Sequence, residues 1–246
     1  MVDYTELFDQ RGSSYDRAMQ AFPRARAAEF RQLLEPLDLS GNIVIGDVPA
    51  GGGYLGPYLP QHCEWVRHEP CSDFTTHAGQ NDARRPRTPL YPFPWKDDRV
   101  DALVSLAGVH HLDDKPRFYR EAARVTCDGG TLVLSDVAEG HPVSRFLDEF
   151  VGAYNSTGHE GRYLDGDVIS DLEAAGWRLQ GDRQHSYHWV FETRGQMSAF
   201  TRLLFDICDA DEAHVEQAIG DILGIDDLPG GVGMRWGLRT LHCRLD

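Results

Sequence analysis

His110 and His111 stand side by side after an apolar run, and Asp47, Glu69 and Asp136 each close a run of the same kind. Imidazole titrates near neutrality, which suits it to removing a proton from an acceptor group. His111 is therefore a candidate base with His110 behind it, or else a hydrogen-bonding residue that packs its loop. The run Ile43-Val-Ile-Gly-Asp47 breaks into Val-Pro49-Ala50-Gly51-Gly-Gly53-Tyr-Leu-Gly56. A glycine turn after a strand lets backbone approach a ligand, a common device for holding an adenosine-containing cofactor. Tyr154, Asn155, His159, Glu160, Arg162 and Tyr163 form the most polar and aromatic cluster of the second half. They could close over an acceptor, with His159 and Arg162 suited to a carboxylate or phosphate, or be a solvated loop.

These residues need elements to position them. Residues 4 to 36 read as helices interrupted at Phe22-Pro23. Strands are expected at Ile43 to Asp47, Glu64 to Glu69, Arg99 to Ser105 and Thr131 to Asp136. Between them come Tyr54 to Leu59, which could open a helix, Asp73 to Gly79 as a short helix, and Pro116 to Val125 as a longer one. Four prolines over residues 80 to 94 leave room for at most a short strand. Asp128-Gly-Gly130 is a turn. Nearly unbroken apolar strands separated by helices mean a parallel sheet covered on both faces. Its ligand should lie beyond the carboxyl ends, where Asp47, Glu69, Ser105 to His111 and Asp136 converge. After residue 141 the pattern changes: helices over Val143 to Tyr154 and Asp167 to Gly176, one long strand from Trp177 to Phe191, two helices within Gly195 to Ile222, and a last strand from Met234 to Leu245.

The 246 residues carry 24 basic and 39 acidic side chains, a net charge of −15. This disfavours a nucleic-acid partner, which needs a concentrated positive face. No apolar run reaches membrane-spanning length, and the first residues lack a secretory pattern, so a cytoplasmic protein is expected. The five cysteines are odd in number, scattered and without a C-x-x-C pair, as free thiols in a reducing compartment would be. His62, His68 and Cys71 show no metal-ligand spacing. His185 and His188 alternate without a third ligand. No metal is expected.

The glycine turn has two readings. Gly51-x-Gly53-x-x-Gly56 with Glu69 downstream matches the dinucleotide fingerprint, which would make an NAD-dependent oxidoreductase. Asp47 before the turn and Pro49-Ala50 inside it fit that reading poorly. S-adenosylmethionine has no pyrophosphate and needs only backbone approach, a ribose acid and an apolar adenine slot. Further stretches bear on the choice. Asp47-Val-Pro-Ala-Gly51-Gly-Gly53, Glu69, Pro92-Phe-Pro-Trp-Lys-Asp-Asp-Arg-Val-Asp101, Ser105-Leu-Ala-Gly-Val-His-His111-Leu and Arg124-Val-Thr-Cys-Asp-Gly-Gly130-Thr-Leu follow one another in order. Together they resemble the class I S-adenosylmethionine-dependent methyltransferases of the small-molecule type, over roughly residues 40 to 140. Pro49 departs from the family pattern, as does the absence of an acid just before Pro92; Arg87 or Thr88 holds that stretch and Asp82 lies early.

The resemblance implies an α/β fold, a Rossmann-like three-layer sandwich. Its mostly parallel seven-stranded sheet would carry an antiparallel edge pair, N-terminal helices and a C-terminal helical insertion. Residues 1–40 would be a helical cap, 41–140 the cofactor core and 141–246 the acceptor lid, edge strands and insertion of one continuous domain. It implies a methyltransferase acting on a small-molecule O or N acceptor, as a monomer or homodimer with no membrane partner. A non-methylation use of the cofactor is the variant of that reading. Tyr15, Asp47, Pro49, Ala50, Gly51, Gly53, Glu69, Pro70, Ser105 and Leu106 would hold S-adenosylmethionine. Tyr154, His159, Arg162 and Tyr163 would meet the acceptor, and His111 or His110 would take a proton where one must leave.

Overall fold

The computed structural model describes residues 4–74 and 88–246. Two helices open the chain, α1 (Tyr4–Ala21) and α2 (Ala27–Leu34), parted where Pro23 interrupts the helical run. Strands β1 (Val44–Asp47), β2 (Glu64–Arg67) and β3 (Val100–Leu106) follow, then α3 (Lys115–Val125) and β4 (Thr126–Asp136). The Asp114 side chain accepts from the Arg117 amide at 2.9 Å and caps α3, and Pro116 occupies its first turn, where no amide is needed. α3 then buries Phe118, Tyr119, Ala122 and Val125 along one face.

The second half begins with a continuous helical stretch: α4 (Pro142–Arg145), a π-helical segment Phe146–Val151, and α5 (Gly152–Tyr154). Then come α6 (Val168–Ala174), β5 (Trp177–Gln184), β6 (Tyr187–Phe191), α7 (Arg194–Leu204), α8 (Glu212–Ala218), β7 (Ile225–Leu228), β8 (Gly231–Trp236) and β9 (Arg239–Leu245).

The main sheet has the order β2-β1-β3-β4-β9-β5. Its first four strands are parallel, and β9 and β5 add as an antiparallel pair. Both faces are covered: Val104 and Val133 enter one core, Leu103, Leu132 and Leu134 the other. This is the burial that unbroken apolar strands require. No disulfide forms among the described residues.

Two expectations change. The main sheet has six strands among the described residues, and a separate three-stranded sheet, β6-β8-β7, replaces the seventh. The cause is a bend. Each of the two long strands read from the sequence is split, at His185-Ser186 and at Gly237-Leu238. The ribbon pairs Gln184 with Arg239 in one sheet and Tyr187 with Trp236 in the other. A side chain at Gly237 would lie 2.3 Å from the His185 carbonyl, so only glycine fits the corner. Second, no α-helix follows the glycine turn: Gly56–Tyr58 makes a single 3₁₀ turn, with prolines at 57 and 60 removing amides a helix would use. Residues 88–99 form no strand, within the expectation of at most a short one, while the helix expected over Asp73 to Gly79 falls mostly outside the described residues, as do Asp82 and Arg87.

Candidate active site

Beyond the carboxyl ends of β1 and β3 lies a narrow crevice. Asp47, Pro49, Ala50, Gly51, Tyr15 and Leu106, all expected at a cofactor, line it. Gly51 and Gly53 have φ of +53° and +81°, the left-handed region in which a side chain is strained. A Cβ on Gly53 would also lie 2.6 Å from Arg67 Nη1. Pro49 lies against Gly108, where an added Cβ would come within 2.5 Å of its ring. Pro49 thus fills the space between the ends of β1 and β3 that glycine there leaves.

Asp47 is 4% exposed, and Trp65 donates its indole N–H to Oδ2 at 3.3 Å. Burial pushes its carboxyl up to about 7. A buried acid with so little hydrogen bonding is suited to a cationic partner. Glu69 is held differently. Its carboxylate accepts from the amides of Gly51 and Cys71, each at 2.8 Å, and from the Tyr4 hydroxyl at 2.9 Å. It braces the glycine turn and ties α1 to it. Burial raises its pKa too. Gly53 lies on an outer cavity beside Trp65 and Arg67, and Pro70 is buried behind Glu69. Ser105 is fully buried within β3, with no partner for its hydroxyl among the described residues.

A second small cavity adjoins the first and shares Phe8, Tyr15, Arg26 and Ala107 with it. Ala107 has φ of +48°, a strained conformation for alanine, at this common wall. Trp189, Trp236 and Phe205 form the apolar side; the two indoles stack at 4.0 Å. The opposite side carries His110, His111 and His159, one ligand nitrogen from each lying within 4.8 Å of the others. His110 Nδ1 lies 2.6 Å from buried Asp136, which also accepts the amides of Val109, His110 and Val137. His159 Nδ1 lies 3.0 Å from Asp148. His111 packs edge-on against Phe8 at 5.3 Å. Burial lowers the pKa of His111 well below its ordinary value and lowers that of His159 as well. Both are neutral at pH 7, so each keeps a free lone pair.

Of the four residues expected at an acceptor, only His159 enters this cavity. Tyr163 donates to Asp148 and lies beside Arg162 in an outer groove. Arg162 pairs with Asp113 at 3.1 Å and is half exposed. Tyr154 packs on Phe150 and His214. His188 meets Asp226 at 2.7 Å far from these groups, and His185 sits in the bend.

Sequence reasoning missed the charged centre of the wall. Arg26 is ion-paired with Glu29, donates to the Tyr15 hydroxyl, and lies over the Trp189 ring at 5.1 Å. Glu29 also accepts the Trp189 indole N–H at 2.6 Å. Arg26 and Glu29 are 4% and 0% exposed. Three residues apart on the edge of a helix, they look like a solvated pair, and nothing local signals burial.

An open sheet with a glycine turn at β1, an acid before it and a paired cavity beyond β3 has the layout of a cofactor-binding α/β protein. Residues 47–134 match the family of the methyltransferase domain. A curated relative, an uncharacterized methyltransferase YcgJ of Bacillus subtilis, is 32% identical over 119 residues, 44% of this chain and 46% of that protein. The match thus spans about half the length of that relative. The solved structure of YcgJ superposes with a TM-score of 0.59 at 16% identity, covering 89% of this chain and 97% of that one. A putative methyltransferase solved in complex with the Haloferax volcanii Trm112 activator reaches 0.62 at 14% identity, covering 99% and 97%. These likenesses concern the fold. The matched stretch, residues 47–134, holds the glycine turn and the strands from β2 into β4, and it is similar to methyltransferase domains; that likeness implies S-adenosylmethionine as the cofactor.

The crevice suits that cofactor on its own chemistry. S-adenosylmethionine carries an ammonium and a sulfonium, and Asp47 is a buried acid suited to a cation. A dinucleotide would instead need a helix N-terminus for its pyrophosphate, and the 3₁₀ turn at Gly56–Tyr58 offers none.

Proposed function

We propose that the protein transfers a methyl group from S-adenosylmethionine, held in the β1/β3 crevice, to an O or N atom of a small molecule held in the adjoining cavity. The observation that carries this reading is the shared wall of Phe8, Tyr15, Arg26 and Ala107. Ligands on its two sides would lie about one side chain apart. Asp47, Ala50 and the Gly51 backbone would hold the amino-acid end of the cofactor, and Glu69 supports the turn from behind. When bound, the cofactor would supply an electrophilic methyl group on a sulfonium, with the neutral thioether S-adenosylhomocysteine as the leaving group.

The residues of the chain then have two tasks. One is alignment, which can supply on the order of 7–11 kcal/mol at best when reacting groups are held in register. The other is proton removal. Neutral His111 faces the acceptor cavity with no hydrogen-bond partner recorded for its ring among the described residues, and it can accept a proton from the acceptor's heteroatom. His110, fixed by Asp136, backs it at a ring separation of 4.0 Å.

Calorimetry with S-adenosylhomocysteine tests the reading. Binding by the wild type, lost in Gly51→Val and weakened in Glu69→Ala, is expected; no binding by the wild type would sink the proposal. In an acceptor screen read by product mass, His111→Ala should lower kcat by roughly 10²-fold while leaving S-adenosylhomocysteine affinity unchanged.

A further inference from the structure

The charges of the second cavity do not balance. Glu29 answers Arg26, and the pair is further tied by Tyr15 and Trp189. Asp136 and Asp148 each hold an imidazole from behind. Arg11, from α1, lines the same cavity and is 3% exposed. Its Nε and Nη1 have no hydrogen-bond partner among the described residues, and no described carboxylate forms an ion pair with it. Asp206, the acid that acts on it through space, hydrogen-bonds Ser156 instead. Burial draws the guanidinium down to about 10, still fully charged at neutral pH. A buried cation without a partner is costly, and truncated ion pairs show the size of that cost.

We infer that Arg11 is an anion-binding residue of the acceptor cavity, and that the acceptor is a carboxylic acid with a flat apolar body. The inference rests on the two-cavity reading above. The acid group would take the fork of Arg11, a bidentate match of planar donor to planar acceptor. The apolar body would lie against Trp189, Phe205 and Trp236, whose rings run nearly parallel, with interplanar angles of 19° to 27°. Arg11 takes the role that the sequence suggested for Arg162, which lies outside the cavity and already has Asp113.

The three imidazoles suggest a different occupant, a divalent metal, since two of them are oriented by carboxylates as metal ligands often are. Arg11 argues against it. A divalent ion there would add positive charge beside the buried Arg11 guanidinium, which no described carboxylate pairs.

The test uses the whole protein with tryptophan fluorescence and calorimetry, after S-adenosylhomocysteine binding has been measured separately. Phenylacetate and indole-3-acetate are compared with phenylacetamide and indole-3-acetamide, which match them in shape and lack the charge. The acids should bind at least about tenfold more tightly than the amides. Arg11→Met should abolish that preference and raise Tm in the absence of ligand, and Arg11→Lys should keep part of the preference. Should Arg11→Met fail to fold, the acid-to-amide ratio of the wild type and of Arg11→Lys decides. Equal affinity for acids and amides would overturn the inference, as would acid binding unchanged in Arg11→Met. Stoichiometric zinc uptake that disappears in His159→Ala, with no acid bound, would overturn it in favour of a metal. Loss of S-adenosylhomocysteine binding with the acid preference intact would strike the methyl-transfer reading and leave the anion pocket standing.

Discussion

The crevice beyond β1 and the cavity beneath the small sheet meet at Tyr15 and Arg26, yet their buried charges have opposite sign. Asp47 puts a carboxyl group in the first; Arg11 puts a guanidinium in the second. A ligand with a cationic end is drawn to one, an anion to the other. The wall keeps them apart with a neutral cluster, since Arg26 is cancelled by Glu29. Sorting ligands by charge needs no motion and little area, only that each buried charge be left partly unanswered by the protein itself.

The contrast can be broken most severely at the turn. Gly51→Val forces a β-branched residue to φ +53° beside the Tyr54 ring. Calorimetry should show S-adenosylhomocysteine affinity falling by roughly 10²-fold, about 3 kcal/mol, while acid binding in the second cavity persists.

A smaller effect should come from the protonation of Asp47. Its folded pKa of about 7 lies above the ordinary 3.8, so burial favours the neutral acid. The stability tied to that neutral form is full below pH 3.8 and is lost as pH rises through about 7. Asp47→Asn should therefore raise Tm at pH 8 without ligand. In the wild type a cationic ligand would hold Asp47 ionised, so binding at pH 6 should release up to about one proton, read from calorimetry in buffers of different ionisation enthalpy.

The second cavity should show the reverse dependence. His111 and His159 are held below their ordinary 6.5, so their contribution is full above pH 6.5 and is lost as pH falls below it. Thermal melts should show stability declining on acidification, less so in His159→Asn. The smallest change is expected outside both sites. Arg162→Ala should alter acid affinity and stability by no more than about 0.5 kcal/mol, because its pair with Asp113 is exposed.

Much of the first region was legible in the sequence. β1, β3 and β4 are short apolar runs closed by an acid or a polar turn, and strand ends in a parallel sheet point to the ligand. Asp47, Ala50, Gly51 and Leu106 follow from that rule, as do His111 and His110. The second region was much less so. Arg11, Glu29, Trp189 and Trp236 come from separate elements, and only tertiary packing brings them to one cavity. The bent ribbon was hidden for a related reason. Alternation runs on through Trp177 to Phe191, and what divides it is a corner at Gly237 on the partner strand, more than forty residues away. His159 was found because its loop is polar, but the same polarity led to Arg162 and Tyr154, which face elsewhere.

The place of β9 in the sheet bears on how the molecule reaches its native state. It lies between β4 and β5, pairing Thr131 with Arg244 and Trp177 with Leu245. Its contact with β4 closes a loop of more than a hundred residues, whereas β1 meets β2 across a segment of about twenty. Chain entropy makes such distant closures slow. The parallel strands are thus expected to form first, with an open edge at β4. Seating β9 would then complete the sheet and, through its continuation into β8, raise the aromatic wall of the second cavity in the same step.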